Sequence, residues 1–286
     1  MRGLLLALVA GSVLAGELKT DIEFHRAGNV RLLMDAYIPE GSGPFPAVIW
    51  VHGGGFVAGD KQPHPKSLLE PLAAKGFAWF SVNYRLAPRF PFPAQTDDVE
   101  SAIEYIRLNA ERFKVNSKRL ALMGASAGGH LVSYVGAKHR KENRVAAVVS
   151  FFGEHDLVGR VHPEGLCMID GKVVPDPGPL CLSPGLSQFL GVTADSPRAE
   201  EVVKGASPAT YVRKGMPPYL LIHGTKDLNV PYDQSELMCA AMRKAGASCQ
   251  VVRVEGGGHG YGAWDRDPAM SGYLSTMTQW LDKVLR

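Results

Sequence analysis

Cysteine is scarce in this sequence, and its four cysteines are not spaced as a metal or redox motif. They are Cys167, Cys181, Cys239 and Cys249, in a chain of 286 residues. No pair shows the Cys-x-x-Cys spacing that zinc sites and thiol exchange use. We therefore expect no bound metal.

An excess of charge of either sign is also missing. The chain has 31 Lys and Arg against 28 Asp and Glu, which leaves a formal charge of +3. Its basic residues do not cluster with aromatic residues as they do in nucleic-acid-binding proteins. Internal repeats and low-complexity segments are absent from the sequence as well. We expect no nucleic-acid partner, and the pattern predicts no particular oligomeric state.

Long apolar runs are lacking except at the N terminus. Residues 1–15 begin with Met1-Arg2, continue through an apolar stretch and end at Ala15. A positive start, a short apolar core and small terminal residues are typical of a signal peptide. The stretch is shorter than the roughly 20 residues that span a bilayer. We expect cleavage after Ala15, a secreted or periplasmic protein, and no membrane attachment after cleavage. The alternative is a buried first helix of a cytosolic protein.

Export and an even number of cysteines together favour two disulfides. Four cysteines allow three connectivities. Among these we predict the pairing of sequence neighbours. A Cys167–Cys181 bond would close a loop rich in Gly and Pro, and a Cys239–Cys249 bond would tie a helix to the strand that follows it.

Residues 16–286 are long enough to form one large core, and we expect a single domain there. Strands and helices alternate after an initial hairpin. Predicted strands cover 18–26, 30–39, 47–51, 78–83, 119–123, 146–152, 219–223 and 249–254, and predicted helices cover 97–113, 127–138, 232–244 and 268–286. This pattern predicts an α/β fold with a mostly parallel eight-stranded sheet and helices on both faces. Ligand sites of such sheets lie at the carboxyl ends of the strands.

The alternation stops in the segment 154–216, which follows the sixth predicted strand. Pro, Gly and charged residues outnumber apolar ones there, and no strand pattern is visible. We interpret the segment as an insertion over the ligand site. It would act as a lid that shapes the pocket, or it would be a plain surface excursion.

Two glycine-rich segments follow predicted strands and carry the first chemical signal. Ser126 lies in Gly124-Ala125-Ser126-Ala127-Gly128, a Gly-x-Ser-x-Gly motif between a strand and a helix. In that context the serine projects from a sharp turn as a nucleophile. The second segment, His52-Gly53-Gly54-Gly55-Phe56, follows an apolar strand. We predict that the N–H groups of Gly54, Gly55 and Ala127 form an oxyanion hole.

An acid and a histidine follow the serine in the order that this chemistry requires. Asp227 comes just after the strand 219–223, and His259 lies on a glycine-rich loop after the strand 249–254. We predict that Ser126, Asp227 and His259 form a catalytic triad.

Other residues compete for these roles. We expect His52 and His223 to be structural groups at strand ends, and His25, His64, His139 and His162 to lie on the surface. His130 starts a helix beside the serine and could at most support it. Asp233 and Glu255 are less well placed than Asp227 to be the acid.

Five segments in this order resemble the hormone-sensitive-lipase-like esterases of the α/β-hydrolase fold. They are Val51 to Phe56, Asn83 to Pro88, Phe92 to Gln95 together with Asp98, Gly124 to Gly129, and Gly258 to Gly260. The resemblance implies hydrolysis of carboxylic esters without a metal or organic cofactor. It also implies that Arg85 and Asp98 form a structural brace, which we expect to be a buried ion pair.

Departures from that family indicate a neighbouring branch. Ala125 stands where its members usually have Asp, Arg89 stands where they usually have Glu, and the N-terminal segment is too short for their helical cap. These differences favour the branch that contains acetyl-xylan and feruloyl esterases.

We therefore expect residues 16–286 to be the catalytic domain of a serine carboxylesterase that works through an acyl-enzyme. Its substrates would be short-chain acyl esters or acetyl and feruloyl esters, either as small molecules or linked to plant polysaccharide. The alternatives are a serine peptidase similar to prolyl oligopeptidase and a non-catalytic binding protein on a hydrolase scaffold.

Overall fold

The computed structural model describes residues 15–138, 144–158, 166–169, 172–175 and 180–286. Apart from Ala15, the expected signal peptide lies outside these described residues, as do His139 and His162. No helix within the described ranges is long and apolar enough to cross a membrane.

Eight strands form one sheet in the order β1-β2-β4-β3-β5-β6-β9-β10. The first two strands pair antiparallel, β2 pairs antiparallel with β4, and the remaining neighbours run parallel. The strands are β1 Gly16–Ala27, β2 Val30–Pro39, β3 Phe45–Val51, β4 Ala78–Val82, β5 Val115–Ala125, β6 Ala147–Phe151, β9 Tyr219–Gly224 and β10 Cys249–Val254. This confirms the prediction of a mostly parallel sheet of eight strands.

The central strands are apolar because helices cover both of their faces. All residues of β4, β6 and β9 are buried. Their alternating side chains belong to two hydrophobic clusters, one containing Phe80 and Val148 and the other containing Trp79 and Val149. The edge strand β1 is mostly exposed, which explains its polar composition.

The four predicted helices are present, and the described residues add four more. In chain order the helices are α1 Lys66–Ala74, α2 Ala94–Leu108, α3 Ala127–Lys138, α4 Pro184–Leu190, α5 Ala199–Ala206, α6 Asp233–Lys244, α7 Tyr261–Trp264 and α8 Gly272–Leu285. The predicted helices are α2, α3, α6 and α8, and the sequence did not predict α1, α4, α5 or α7. Helix α2 starts earlier than expected, directly after Pro93, a residue type that is tolerated at helix starts, and it ends earlier, at Leu108. Helix α8 starts later, at Gly272, because turns occupy the residues after 267.

The segment 154–216 differs from the expectation that it contains no strands. It holds the hairpin of β7 Leu166–Ile169 and β8 Lys172–Pro175, then α4, α5 and a 3-10 helix at Pro208–Tyr211. Each of these strands has four residues, too few to show an alternating pattern. The buried side chains of Leu186 and Phe189 on α4 join the main core, so this helix packs against the domain.

The two disulfides connect sequence neighbours, as predicted. Cys167 is joined to Cys181 with their Cα atoms 5.7 Å apart, and Cys239 is joined to Cys249 with their Cα atoms 5.3 Å apart. The first ties the hairpin to the chain that enters α4. The second ties α6 to β10.

Candidate active site

Ser126 occupies a sharp turn between β5 and α3. Its φ of 54° lies in the left-handed region, which residues other than glycine rarely adopt. The Ser126 N–H donates to the Phe151 carbonyl at 2.9 Å, which holds the turn against β6. A Cβ atom at Gly128 would collide with the backbone of Val51, so glycine is required for this turn to approach β3.

The structure brings Asp227 and His259 to Ser126 from distant parts of the chain. Asp227 follows β9, and His259 follows β10. His259 Nε2 lies 3.0 Å from Ser126 Oγ, and His259 Nδ1 lies 2.7 Å from Asp227 Oδ2. With its proton on Nδ1, the imidazole donates to the carboxylate and can accept the serine proton at Nε2.

The Asp227 carboxylate is held by more than its bond to His259. Its Oδ1 accepts hydrogen bonds from the N–H groups of Asn229 and Val230, each at 2.9 Å. Burial acts to raise its pKa, but hydrogen bonds with His223 and His259 outweigh that effect and hold the pKa of Asp227 well below its ordinary value. The carboxylate therefore stays ionised although its side chain is fully buried.

The residues predicted for the oxyanion hole lie around the same cavity as Ser126. Gly54 and Gly55 have positive φ values of 118° and 59°, conformations that glycine adopts without strain. Ala127 is the first residue of α3, where an N–H group has no acceptor within the helix. All three line the cavity. N–H groups that converge beside a nucleophile can stabilise an oxyanion.

This cavity opens above the serine and has a volume of about 890 Å³. Asp60 and Glu154 are the acidic residues in its described lining, and that lining includes no lysine or arginine. The rest of the wall is made of glycine, histidine, aromatic, aliphatic and uncharged polar residues, among them Trp50, Phe56, Phe152, Tyr261, Leu186, Val230, Gln62, Ser183 and Asn229. A wall of this kind suits a neutral ligand better than an anionic one.

The other histidines differ in their surroundings. His52 is buried and stacks on Tyr84, with 4.3 Å between the ring centroids. His130 is fully buried and donates from Nδ1 to the Glu154 carbonyl at 2.9 Å, and burial lowers its pKa to about 4. His64, which we expected on the surface, is only partly exposed: 17% of its side chain is accessible, and its Nε2 lies 2.9 Å from the buried carboxylate of Asp35. His25 is exposed, as predicted.

Arg85 and Asp98 form the predicted ion pair. Arg85 Nη2 lies 2.7 Å from Asp98 Oδ1, and the Arg85 N–H donates to Asp98 Oδ2 at 2.8 Å. Hydrogen bonding to Asp98 raises the pKa of Arg85. Since Asp98 lies on α2, the pair fastens the chain after β4 to that helix.

Two sets of contacts around the site could not be predicted from the spacing of residues in the sequence. Lys61, Gln62 and His64 contact Asp35, and they anchor the loop that forms one wall of the cavity. His223 contacts Asp227 from behind. The sequence shows an aspartate in β2 and a histidine at the end of β9. Neither sequence pattern identifies the residue that the side chain contacts.

The chain is similar in sequence to proteins that are named esterases. The esterase LipC from Mycobacterium tuberculosis is 31% identical over 235 residues, which cover 78% of this chain and 54% of LipC. A probable isoprenylcysteine alpha-carbonyl methylesterase from Arabidopsis thaliana is 26% identical over 250 residues, which cover 79% of this chain and 48% of that protein. The chain thus spans about half the length of these curated relatives.

Solved structures show the same fold. A carbohydrate esterase from gut microbiota, in truncated form, superposes with a TM-score of 0.75 at 24% identity, covering 95% of this chain and 97% of that one. This likeness identifies the α/β-hydrolase fold. The BD-FAE family model matches residues 34–242, which include Gly54, Gly55, Ser126 and Asp227. The chain belongs to the BD-FAE family.

Proposed function

We propose that this chain hydrolyses carboxylic esters through an acyl-enzyme formed on Ser126. The observation that carries the proposal is the unbroken contact from Ser126 Oγ to His259 at 3.0 Å and from His259 to Asp227 at 2.7 Å. Relatives that are named esterases support the same reaction.

The reaction would proceed in two steps. His259 Nε2 takes the proton of Ser126 as Oγ attacks the ester carbonyl, and the N–H groups of Gly54, Gly55 and Ala127 stabilise the oxyanion. The imidazolium then protonates the departing alcohol, which leaves the acyl group on the serine. A water molecule that gives its proton to His259 releases the acid, while Asp227 keeps the imidazole in one tautomer.

Small acyl groups on neutral alcohols or sugars are the proposed substrates. The cavity contains two acidic residues and, in its described lining, no cationic side chain that would hold a free carboxylate. A structural neighbour is named a carbohydrate esterase. We extend the proposal to acetyl and feruloyl esters of plant polysaccharide, which an exported enzyme would meet outside the cell.

The test compares the wild-type protein with Ser126→Ala on p-nitrophenyl acetate, butyrate and octanoate. We expect kcat/KM to fall with chain length and to vanish in the variant. Release of acetate or ferulate from xylan would establish the polysaccharide class. Cleavage of a prolyl-peptide amide without ester hydrolysis would replace the proposal by a peptidase, and activity that survives in Ser126→Ala would exclude this serine as nucleophile.

A further inference from the structure

His223 lies directly behind the triad acid. It is fully buried near the end of β9, four residues before Asp227. Its Nε2 lies 3.0 Å from the Val230 carbonyl oxygen and 3.4 Å from Asp227 Oδ2, and its Nδ1 lies 2.8 Å from Ser235 Oγ on α6. The ring therefore contacts the acid, its loop and the next helix.

These contacts determine which nitrogen of His223 carries a proton. The two oxygens near Nε2 belong to a carbonyl and an ionised carboxylate, and both can only accept hydrogen bonds. Nε2 must therefore be protonated and donate. In the neutral ring Nδ1 is then an acceptor, and the Ser235 hydroxyl donates to it. The resulting chain of hydrogen bonds runs from Ser235 through His223 to Asp227, and from there through His259 to Ser126.

We propose that His223 is a positioning residue for Asp227, an inference that rests on the proposed ester hydrolysis. Asp227 Oδ1 is tied to the N–H groups of Asn229 and Val230, and His223 donates to the carbonyl of that same Val230. His223 therefore holds the loop after Asp227 through the Val230 carbonyl group, while Asp227 holds the same loop through the loop's N–H groups. His223 also shares Oδ2 with His259, and so sets both the direction of that oxygen and the share of its charge that His259 receives.

Removal of the His223 donor changes the triad in a definite direction. A carboxylate that loses one hydrogen-bond donor becomes more basic, and its remaining bond to the imidazolium of His259 becomes stronger. The acid limb of the pH profile of kcat/KM reports the deprotonation of the free-enzyme base, so it should move to higher pH. The titratable groups that face this pair are His259, His155 after β6, and Tyr232 at the start of α6.

The experiment uses two substitutions at one position. His223→Leu fills the space without a donor, whereas the amide nitrogen of His223→Gln can reach the place of Nε2. For the Leu variant we expect kcat/KM for p-nitrophenyl acetate to fall about ten-fold and the acid limb to move up by more than about 0.3 pH units. The Gln variant should recover most of both. Met242→Ala, a buried change on α6 away from the triad, controls for lost stability.

A second measurement does not require turnover. The proton between His259 Nδ1 and Asp227 is expected to give a low-field proton NMR signal, which should shift in His223→Leu and return toward its wild-type position in His223→Gln. An unchanged signal together with an unchanged acid limb in the folded Leu variant would overturn the positioning role. An inactive wild-type protein would instead overturn the proposed function, and the NMR result would still decide the role of His223.

Discussion

Asp227 and Asp35 have side chains that are equally buried, yet the two carboxylates have very different neighbours. Asp35 on β2 contacts the ammonium group of Lys61 at 3.0 Å and His64 Nε2 at 2.9 Å, and both belong to one loop. Asp227 has no lysine or arginine partner among the described residues, and its charge is met by backbone N–H groups, His223 and His259.

With the function proposed above, this difference separates a structural anchor, Asp35, from a group that takes part in the reaction, Asp227. The charge of Asp35 is balanced by Lys61, which is itself 7% exposed, so the pair holds the loop 60–64 against the sheet. The charge of Asp227 acts on His259, whose side chain is 21% exposed and contacts Ser126 Oγ. A buried carboxylate can therefore serve structure or chemistry, and the partner that shares its charge decides which.

The largest effect is expected from Asp227→Asn. The amide can donate to His259 and favours the wrong tautomer, so kcat should fall by about 10⁴. The measurement is steady-state hydrolysis of p-nitrophenyl acetate at pH 8 with the folded variant. Asp35→Asn is the matched control and should keep kcat within a few-fold. Equal losses in both variants would contradict the division between anchor and reactive group.

For the free energy of unfolding, we expect the larger effect from substituting Asp35 and the smaller one from substituting Asp227. Asp35→Asn leaves the buried ammonium of Lys61 with only the more exposed Asp21, so the free energy of unfolding should fall by about 3 kcal/mol. Urea titration followed by tryptophan fluorescence measures this change. The double variant Asp35→Asn with Lys61→Met removes the stranded charge and should recover part of the loss. A double variant less stable than the single one would argue against the ion-pair explanation.

Acid should destabilise the protein through the buried histidines and through Asp35 in two separate pH ranges. Burial lowers the pKa of His130 to about 4 in the folded protein, so the unfolded chain binds more protons below its ordinary pKa of 6.5. The stabilisation by neutral His130 is thus present above about pH 6.5 and is lost as the pH falls to about 4, with a slope of up to about 1.4 kcal/mol per pH unit.

The variant His130→Asn tests this window. Its amide can keep the donor to the Glu154 carbonyl, and it does not titrate. Urea unfolding between pH 4 and 7 should show a shallower slope than in the wild type, with a remainder from His155, whose pKa is lowered by burial and by the neighbouring histidines. Asp35, whose pKa is below its ordinary value of 3.8, should lose its contribution only at lower pH. An identical slope in the variant would place the proton uptake elsewhere.

The smallest effect on the site is expected from removing the Cys239–Cys249 disulfide. The bond spans 10 residues and ties α6, which carries Ser235, to β10, which leads to His259. Replacing both cysteines with Ala should lower the free energy of unfolding by about 2 kcal/mol and leave kcat/KM within about two-fold. Thermal unfolding and ester hydrolysis would be measured together. A large loss of activity would show that the bond also positions the triad.

Most of the fold could be predicted because its signals are local. Strands β2 and β10 and helix α3 occupy the predicted ranges, since each has a complete apolar or amphipathic pattern with clear ends. The hairpin of β7 and β8 was missed because its strands are too short to repeat a pattern, and α1 was missed because it is short and contains Pro71.

The residues brought together at the site could also be named from sequence, because Ser126, Asp227 and His259 each follow a strand in a fixed order. The residues that surround and support these three could not be predicted from the sequence. His64 looks like a surface residue between prolines, yet it contacts Asp35, which is 29 residues away. His223 shows no partner in its own segment except the acid four residues later.

The sequence by itself determined where the sheet strands run and which residues stand at their carboxyl ends, because periodicity and glycine turns act over a few neighbouring residues. Only the tertiary structure decided what faces each buried group: the ammonium beside Asp35, the two histidines beside Asp227, and the walls of the cavity. Such contacts join positions far apart in the chain, and the free energy of burying a charge depends on which partners the fold brings within hydrogen-bonding distance.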